Sequence, residues 1–160
     1  MAIPDLDPRV GNNFLDANAL DDTGGTETAA MDEILRMRWG NFLLLLPHSV
    51  KAEIAHPNTP DAVKRRSKEF VYSTPVELTA AELDTHNEIR TLIRGNAQPG
   101  QHDKDAFHLV ESAKYGRHFI TNDGRLLRKA EEIWAVLHIK VLKPSEFLAA
   151  YLAHGARGAR

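Results

Sequence analysis

The chain has no cysteine among its 160 residues, which excludes disulfides and thiolate metal sites outright. A reducing compartment is compatible with that absence and is not proved by it. Aromatic residues are sparse, with two Trp, three Tyr and six Phe. Long apolar runs are missing too: the longest, Phe42 to Pro47, is far too short to span a bilayer. The first ten residues, MAIPDLDPRV, have neither a basic start nor an apolar stretch, so no secretory signal is expected. A soluble, cytoplasmic protein with no membrane partner is the expectation. Basic excess is also lacking, since 20 Lys and Arg face 22 Asp and Glu for a formal charge of −2. That balance gives no support to tight, nonspecific gripping of nucleic acid through phosphates. It leaves room for an enzyme that touches a few nucleotides through a local basic patch.

What is present fits one domain, residues 1–160, with its core about 12–152. No internal repeat or low-complexity stretch interrupts it. Asn12 to Leu20 reads as a short buried strand ending in a polar turn, and Glu27 to Trp39 as a helix carrying Met31, Ile34 and Leu35 at helical spacing. Phe42 to Leu46 suits a strand covered on both faces. Pro47 opens a second helix in which Val50, Glu53 and Ile54 share a face. A further helix is expected from Asp61 to Lys68, and a short strand at Phe70 to Tyr72. Thr79 to Glu82 (TAAE) is a capping-box pattern, so a helix runs from there to Arg94 and closes at Gly95. Asp103 or Asp105 begins the next helix, which places Ala106, Leu109, Val110 and Ala113 inward and ends at Gly116. His118 to Thr121 is a strand. Asn122 or Asp123 caps a helix that runs to about Val136. Ile139 to Leu142 is the last strand, and Ser145 starts the final helix, with a frayed tail from Ala153. Strands alternating with helices predict an α/β domain with a mainly parallel sheet. In such sheets ligands bind beyond the carboxyl ends of the strands.

Acidic residues fall at those ends. Asp16 follows Phe14 and Leu15; Asp123 follows Phe119 to Thr121; Glu53 and Asp105 lie near helix starts and border buried stripes. Each of the last three has a plainer reading alone: Asp123 as a helix N-cap, Asp105 as a first-turn acid favoured by the helix dipole, Glu53 as a solvated helix residue. Asp16 is least comfortable as a bland residue, because it interrupts an apolar strand and needs a partner if buried. Together the four occur on suitable elements in a suitable order. Carboxylates so gathered raise one another's pKa unless a cation neutralises them. Hard oxygen ligands suit Mg2+ or Mn2+, and such an ion polarises a phosphoryl oxygen and acidifies bound water.

Two segments, FLDANAL and DAFHLVESAKYGRHFITNDGRLL, together with SVKAEI, resemble the motifs of PIN-domain proteins, and in size and layout the VapC-type toxins of toxin–antitoxin pairs. The resemblance runs from Asn12 to about Leu152. It implies a three-layer α/β/α sandwich and a metal set of Asp16, Glu53, Asp105 and Asp123, with Asp105 preferred over neighbouring Asp103. Thr121 would orient a carboxylate or water beside that set, and Asn18 would position Asp16 or a metal-bound water. The implied activity is Mg2+- or Mn2+-dependent endoribonucleolytic cleavage of single-stranded RNA. Homodimerisation and a cognate antitoxin would accompany it.

Among the remaining features, Arg125 is the first choice for substrate contact, ahead of Arg117, Arg128 and Lys129. The run Lys64, Arg65, Arg66, Lys68 is either a phosphate grip or a solvated helix face. His102 and His108 flank Asp105 without zinc-site spacing, and His108 reads as a surface or partly buried residue near the site. Trp39 and Trp134 are expected in the core or at a dimer interface. Rival readings are a non-cleaving RNA- or protein-binding module and a Mg2+-dependent phosphohydrolase. An aspartyl-nucleophile phosphatase would usually carry a second Asp where Asn18 stands.

Overall fold

Three adjacent apolar pairs, Phe14–Leu15, Phe119–Ile120 and Val141–Leu142, lie side by side in register, and they define both faces of the sheet. Successive strand residues point to opposite faces. Leu15, Ile120 and Leu142 therefore enter one buried cluster, and Phe14, Phe119 and Val141 the other. The computed structural model describes residues 2–98, 100 and 102–158.

Among the described residues there are four strands: β1 (Asn12–Leu15), β2 (Leu43–Leu45), β3 (Gly116–Ile120) and β4 (Lys140–Leu142). The helices are α1 (Thr26–Met37), α2 (Val50–Ala55), α3 (Asp61–Ser67), α4 (Ala80–Arg94), α5 (Asp103–Tyr115), α6 (Gly124–Arg128), α7 (Ala130–Leu137) and α8 (Pro144–Gly158). The sheet is parallel throughout, in the order β2-β1-β3-β4. Met31 and Ile34 of α1 and Phe147 of α8 cover the face carrying Leu15, while Ile89 and Ile93 of α4, Leu109 of α5 and Ile133 of α7 cover the opposite one. The result is a three-layer α/β/α sandwich. Strand order reverses between β1 and β3, so the crevice at their carboxyl ends is the natural ligand position.

Several local expectations hold. The Thr79 hydroxyl accepts the Glu82 N–H while the Glu82 carboxylate accepts the Thr79 N–H, and Gly95 ends α4 with a positive φ of 53°. Asp103, not Asp105, is the first residue of α5. Others need correction. The first strand stops at Leu15, because the Asp16 carboxylate accepts the N–H of Ala17 and turns Ala17–Leu20 into a 3-10 helix. β2 is an edge strand and leaves Leu43 exposed, so the FLLLL run is not covered on both faces. The helix expected at Pro47 begins at Val50, after a turn in which Val50 N–H reaches Pro47 O. Phe70 to Tyr72 provides only an isolated parallel bridge between Tyr72 and Leu46. The helix after Asp123 breaks at Lys129 into α6 and α7. Of the two Trp residues expected in the core or at a dimer interface, Trp134 is in the core, whereas Trp39 is exposed and is not.

The tail does not fray at Ala153. Helix α8 continues to Gly158, beyond which 159–160 lie outside the described residues. His154 ties it to the amino-terminal segment: its Nε2 lies 3.1 Å from Asp5 Oδ1, and its carbonyl accepts from Arg9. Among the described residues no helix is long and apolar enough to cross a membrane.

Candidate active site

Asp16 is the residue immediately after β1, and Thr121 the residue immediately after β3, so the parallel pairing of these strands brings the two together at the switch point. The Thr121 hydroxyl donates to Asp16 Oδ2 at 2.8 Å, and the Ala17 N–H donates to Asp16 Oδ1 at 2.9 Å. Asp16 is only 4% exposed. Burial pushes its carboxyl up from 3.8 to about 7, against the lowering influence of His108; the negative charges of Glu53 and Asp105 push it further up, and the Thr121 hydrogen bond pulls it down. The charges of Glu53, on α2, and Asp105, on α5, are thus felt at Asp16.

The same hydroxyl organises the next turn. Thr121 Oγ1 accepts the N–H of Asp123 at 3.0 Å, and Asp123 caps α6 by accepting the N–H of Arg125 at 2.9 Å. Asn18 stitches the two strand ends together: its Oδ1 accepts the N–H of Asn122 at 3.0 Å and its carbonyl accepts from the Asn122 side chain at 3.3 Å. Asn18 thus acts on the loop that carries Asp123, and its Oδ1 also lies 3.2 Å from the Thr121 hydroxyl.

Asp105 and Asp123 share one cation. Arg125 Nη2 lies 3.0 Å from Asp105 Oδ2 and 2.7 Å from Asp123 Oδ2. The guanidinium expected to meet substrate is therefore engaged inside the acidic cluster, with Nη1 buried and unpartnered. Asp103 faces elsewhere, toward Arg90 at 2.9 Å and Arg94 at 4.0 Å on α4. Asp105 is the acid of this pair that joins Asp123. Of the basic run from Lys64 to Lys68, Arg66 is engaged within the chain, bonding Asp32 and the carbonyl of Leu20.

Glu53 has its own partner. His108 Nε2 lies 2.9 Å from Glu53 Oε2, and His108 Nδ1 lies 2.7 Å from the Ser49 hydroxyl. The carboxylate makes Nε2 a donor; in the neutral ring Nδ1 then accepts from Ser49. The N–H of Ser49 in turn donates to Glu111 Oε1 at 2.8 Å. His108 and Glu111 are both buried, so this chain is anchored in the core. His108 is more deeply buried than the surface or partly buried residue expected; one turn after Asp105, it belongs to the same inward face of α5. Sequence spacing placed it near Asp105 but carried no sign of its pairing with Glu53, 55 residues away.

The acids at this edge are a donor set of the kind that a hard divalent cation takes. It consists of carboxylate oxygens, one of them buried where two other acids oppose its ionisation, and two of them already bridged by a positive group. Among the described residues, no three His, Asp or Glu side chains stand close enough together to hold an ion as they are arranged. No protein-family model matches the chain, and no curated protein matches it either.

Proposed function

We propose that the chain is a metal-dependent endoribonuclease of the PIN-domain type, acting on single-stranded RNA. The observation that carries this reading is the buried Asp16 at the β1/β3 switch point, held by Thr121 and opposed electrostatically by Glu53 and Asp105. A carboxyl that resists ionisation near neutrality, at the place where parallel sheets bind ligands, is suited to a cation.

Asp16, Glu53, Asp105 and Asp123 would hold Mg2+ or Mn2+. When bound, the ion would supply charge neutralisation at the scissile phosphate and a bound water acidic enough to ionise near neutrality. The chain's own residues do the positioning. Thr121 orients Asp16 and fixes the turn that presents Asp123. Asn18 holds that turn against the 3-10 segment. His108 fixes one oxygen of Glu53. Arg125 holds Asp105 and Asp123 together; released by a competing cation, it would lie at the same edge for a phosphate.

The resemblance extends the proposal to a cytoplasmic toxin of a type II toxin–antitoxin pair, with a cognate antitoxin and a homodimer as partners. A second reading is a binding module without turnover. It is favoured by Arg125, whose guanidinium pairs with two of the carboxylates.

The test is cleavage of a mixed single-stranded RNA pool by wild type and Asp16→Ala, each with Mg2+, Mn2+ or EDTA. Cutting by wild type alone, and only with metal, is the expected result. RNA binding without cutting in any buffer would favour the binding module. Equal cutting by both proteins would remove Asp16 from the proposed mechanism.

A further inference from the structure

Helix α5 carries Asp105, His108 and Glu111 at intervals of three residues. Residues so spaced are neighbours on one helix face. Asp105 belongs to the acidic cluster, and His108 holds Glu53. Glu111 is the third, and the function proposed above gives it no part.

Its environment calls for a reason. Glu111 is 1% exposed. Among the described residues it makes no ion pair, and its one hydrogen bond is from the Ser49 N–H to Oε1, at 2.8 Å. Glutamate is almost never fully buried unless paired, and a buried carboxyl with so few partners is costly. An apolar side chain would fill the place without that cost. The carboxyl is explained if the contact with Ser49 is what the chain needs.

Ser49 is where α2 is held. It precedes a helix of only six residues, too short to keep its place by its own hydrogen bonds. A serine there usually spends its hydroxyl on its own helix. No such bond forms, and the hydroxyl meets His108 Nδ1 at 2.7 Å instead. Both the hydroxyl and the N–H of Ser49 are thus taken by α5, one at His108 and the other a turn further on at Glu111. Ser49 and Glu53 lie four residues apart on one face of α2. The His108 ring spans them, with Nε2 2.9 Å from Glu53 Oε2. Of these contacts only the one from Glu111 holds backbone; the others are between side chains and can rotate away.

We infer that Glu111 is a positioning residue: by holding the backbone of Ser49, it sets where Glu53 stands relative to Asp105. His108 fixes the rotamer of Glu53, whereas Glu111 fixes the helix from which Glu53 projects. One face of α5 therefore carries Asp105 and also places the acid that arrives from α2. The effect on metal affinity rests on the nuclease reading; the placement of α2 does not.

Three variants test this. Glu111→Gln keeps an oxygen that accepts from Ser49. Glu111→Met keeps the length and loses the acceptor. Glu111→Asp keeps the carboxyl but withdraws it by one methylene, which separates reach from charge. The His108 ring is followed by NMR of the labelled protein in EDTA, because an Nε2–H held by a carboxylate exchanges slowly and resonates downfield. That signal should persist in Glu111→Gln and be lost in Glu111→Met and Glu111→Asp. Manganese titration followed by thermal shift should give near wild-type affinity for Glu111→Gln. For the other two it should be about 10–100-fold weaker, the usual effect of losing a residue that orients a ligand. A purely structural Glu111 would lower stability in urea while the folded variants kept the ring signal and the manganese affinity, and that result would overturn the assignment. If wild type binds no manganese, the nuclease reading falls, and the ring signal alone decides the part played by Glu111: its survival in Glu111→Met and Glu111→Asp would overturn the proposal, and its loss would support it.

Discussion

The hydroxyl of Thr121 donates to Asp16 Oδ2 at 2.8 Å and accepts the N–H of Asp123 at 3.0 Å, so one side chain fixes two acids that arrive on different strands. Thr121→Val keeps the shape and removes both bonds. It would leave a buried carboxylate oxygen and a backbone donor unmade, at a cost of about 1–3 kcal/mol. It would also push the Asp16 carboxyl above its value of about 7, because the hydrogen bond that lowers it is gone. Thr121→Ser retains the hydroxyl and should lose only the packing of one methyl group. Urea unfolding of the two variants at pH 8 in EDTA measures the difference; equal stabilities would show that the hydroxyl is idle.

Asp16 and His118 give the chain two opposed pH dependences. Asp16, raised from 3.8 to about 7, keeps in the folded state a proton that the unfolded chain gives up. Its contribution is therefore present at low pH and is lost as pH rises from about 4 through 7, in total roughly 4 kcal/mol. Burial pushes His118 down from 6.5 to about 4, with the nearby charges of Lys140 and Arg117 acting the same way. The unfolded chain then binds the extra proton, so this contribution is full above about 6.5 and is lost as pH falls through about 4. Between those limits the two slopes cancel. In EDTA, wild-type stability should carry almost no net slope from these two groups between pH 4 and 6.5. Asp16→Asn should unmask a rise of roughly 3 kcal/mol over the same range and be the more stable protein at pH 8. Chemical denaturation across pH checks both; a flat profile in Asp16→Asn would remove His118 from this account.

The layers of this fold were legible because each central strand carries an adjacent apolar pair, and one register places those pairs on both faces. The turn after β3 was legible for a similar reason, since FIT is followed by a residue that caps a helix. The site was legible one acid at a time, by its element. Its internal partners were not. Arg125 looked free because nothing local shows that Asp105, 20 residues earlier, shares its guanidinium with Asp123. Trp39 was placed in the core or at a dimer interface by extending helical spacing two residues beyond Met37, where α1 ends; it is not in the core, and its ring lies against the Arg38 guanidinium. His118 was read only as part of a strand, yet it pairs with Asn13 across 2.8 Å in a fully buried position.

His108 should behave as a positioning residue for Glu53. Its bonds to Glu53 and Ser49 fix the rotamer of a carboxylate that is otherwise substantially exposed. On the nuclease reading, His108→Ala should lower metal-dependent cleavage by about 10–100-fold, the usual effect of removing a residue that orients a ligand. His108→Gln can still donate to Glu53 and should recover part of the loss. Manganese titration followed by thermal shift gives a readout that does not depend on turnover. If His108→Ala matches wild type in both assays, its contact with Glu53 has no functional weight.

Gly116 tests whether the β1/β3 junction itself sets the site. Its backbone is extended, with φ −142°, so no left-handed conformation demands glycine. The reason is a close approach: a Cβ there would stand 2.6 Å from Phe14 Cε2 and 2.7 Å from the carbonyl oxygen of Asn12. Neither neighbour can yield easily. Phe14 is fully buried within the cluster shared with Phe119 and Leu109, and Asn12 belongs to the strand paired with Gly116. Gly116→Ala should therefore destabilise the chain by about 1–3 kcal/mol through overpacking. The strain enters at the start of the ladder whose far end sets Asp16 against Thr121. If β1 shifts to relieve it, metal affinity falls together with stability. If Phe14 rotates instead, stability falls alone. Unfolding and manganese titration on the same variant separate these outcomes, and an unchanged stability would show that the ring and carbonyl do not constrain this position.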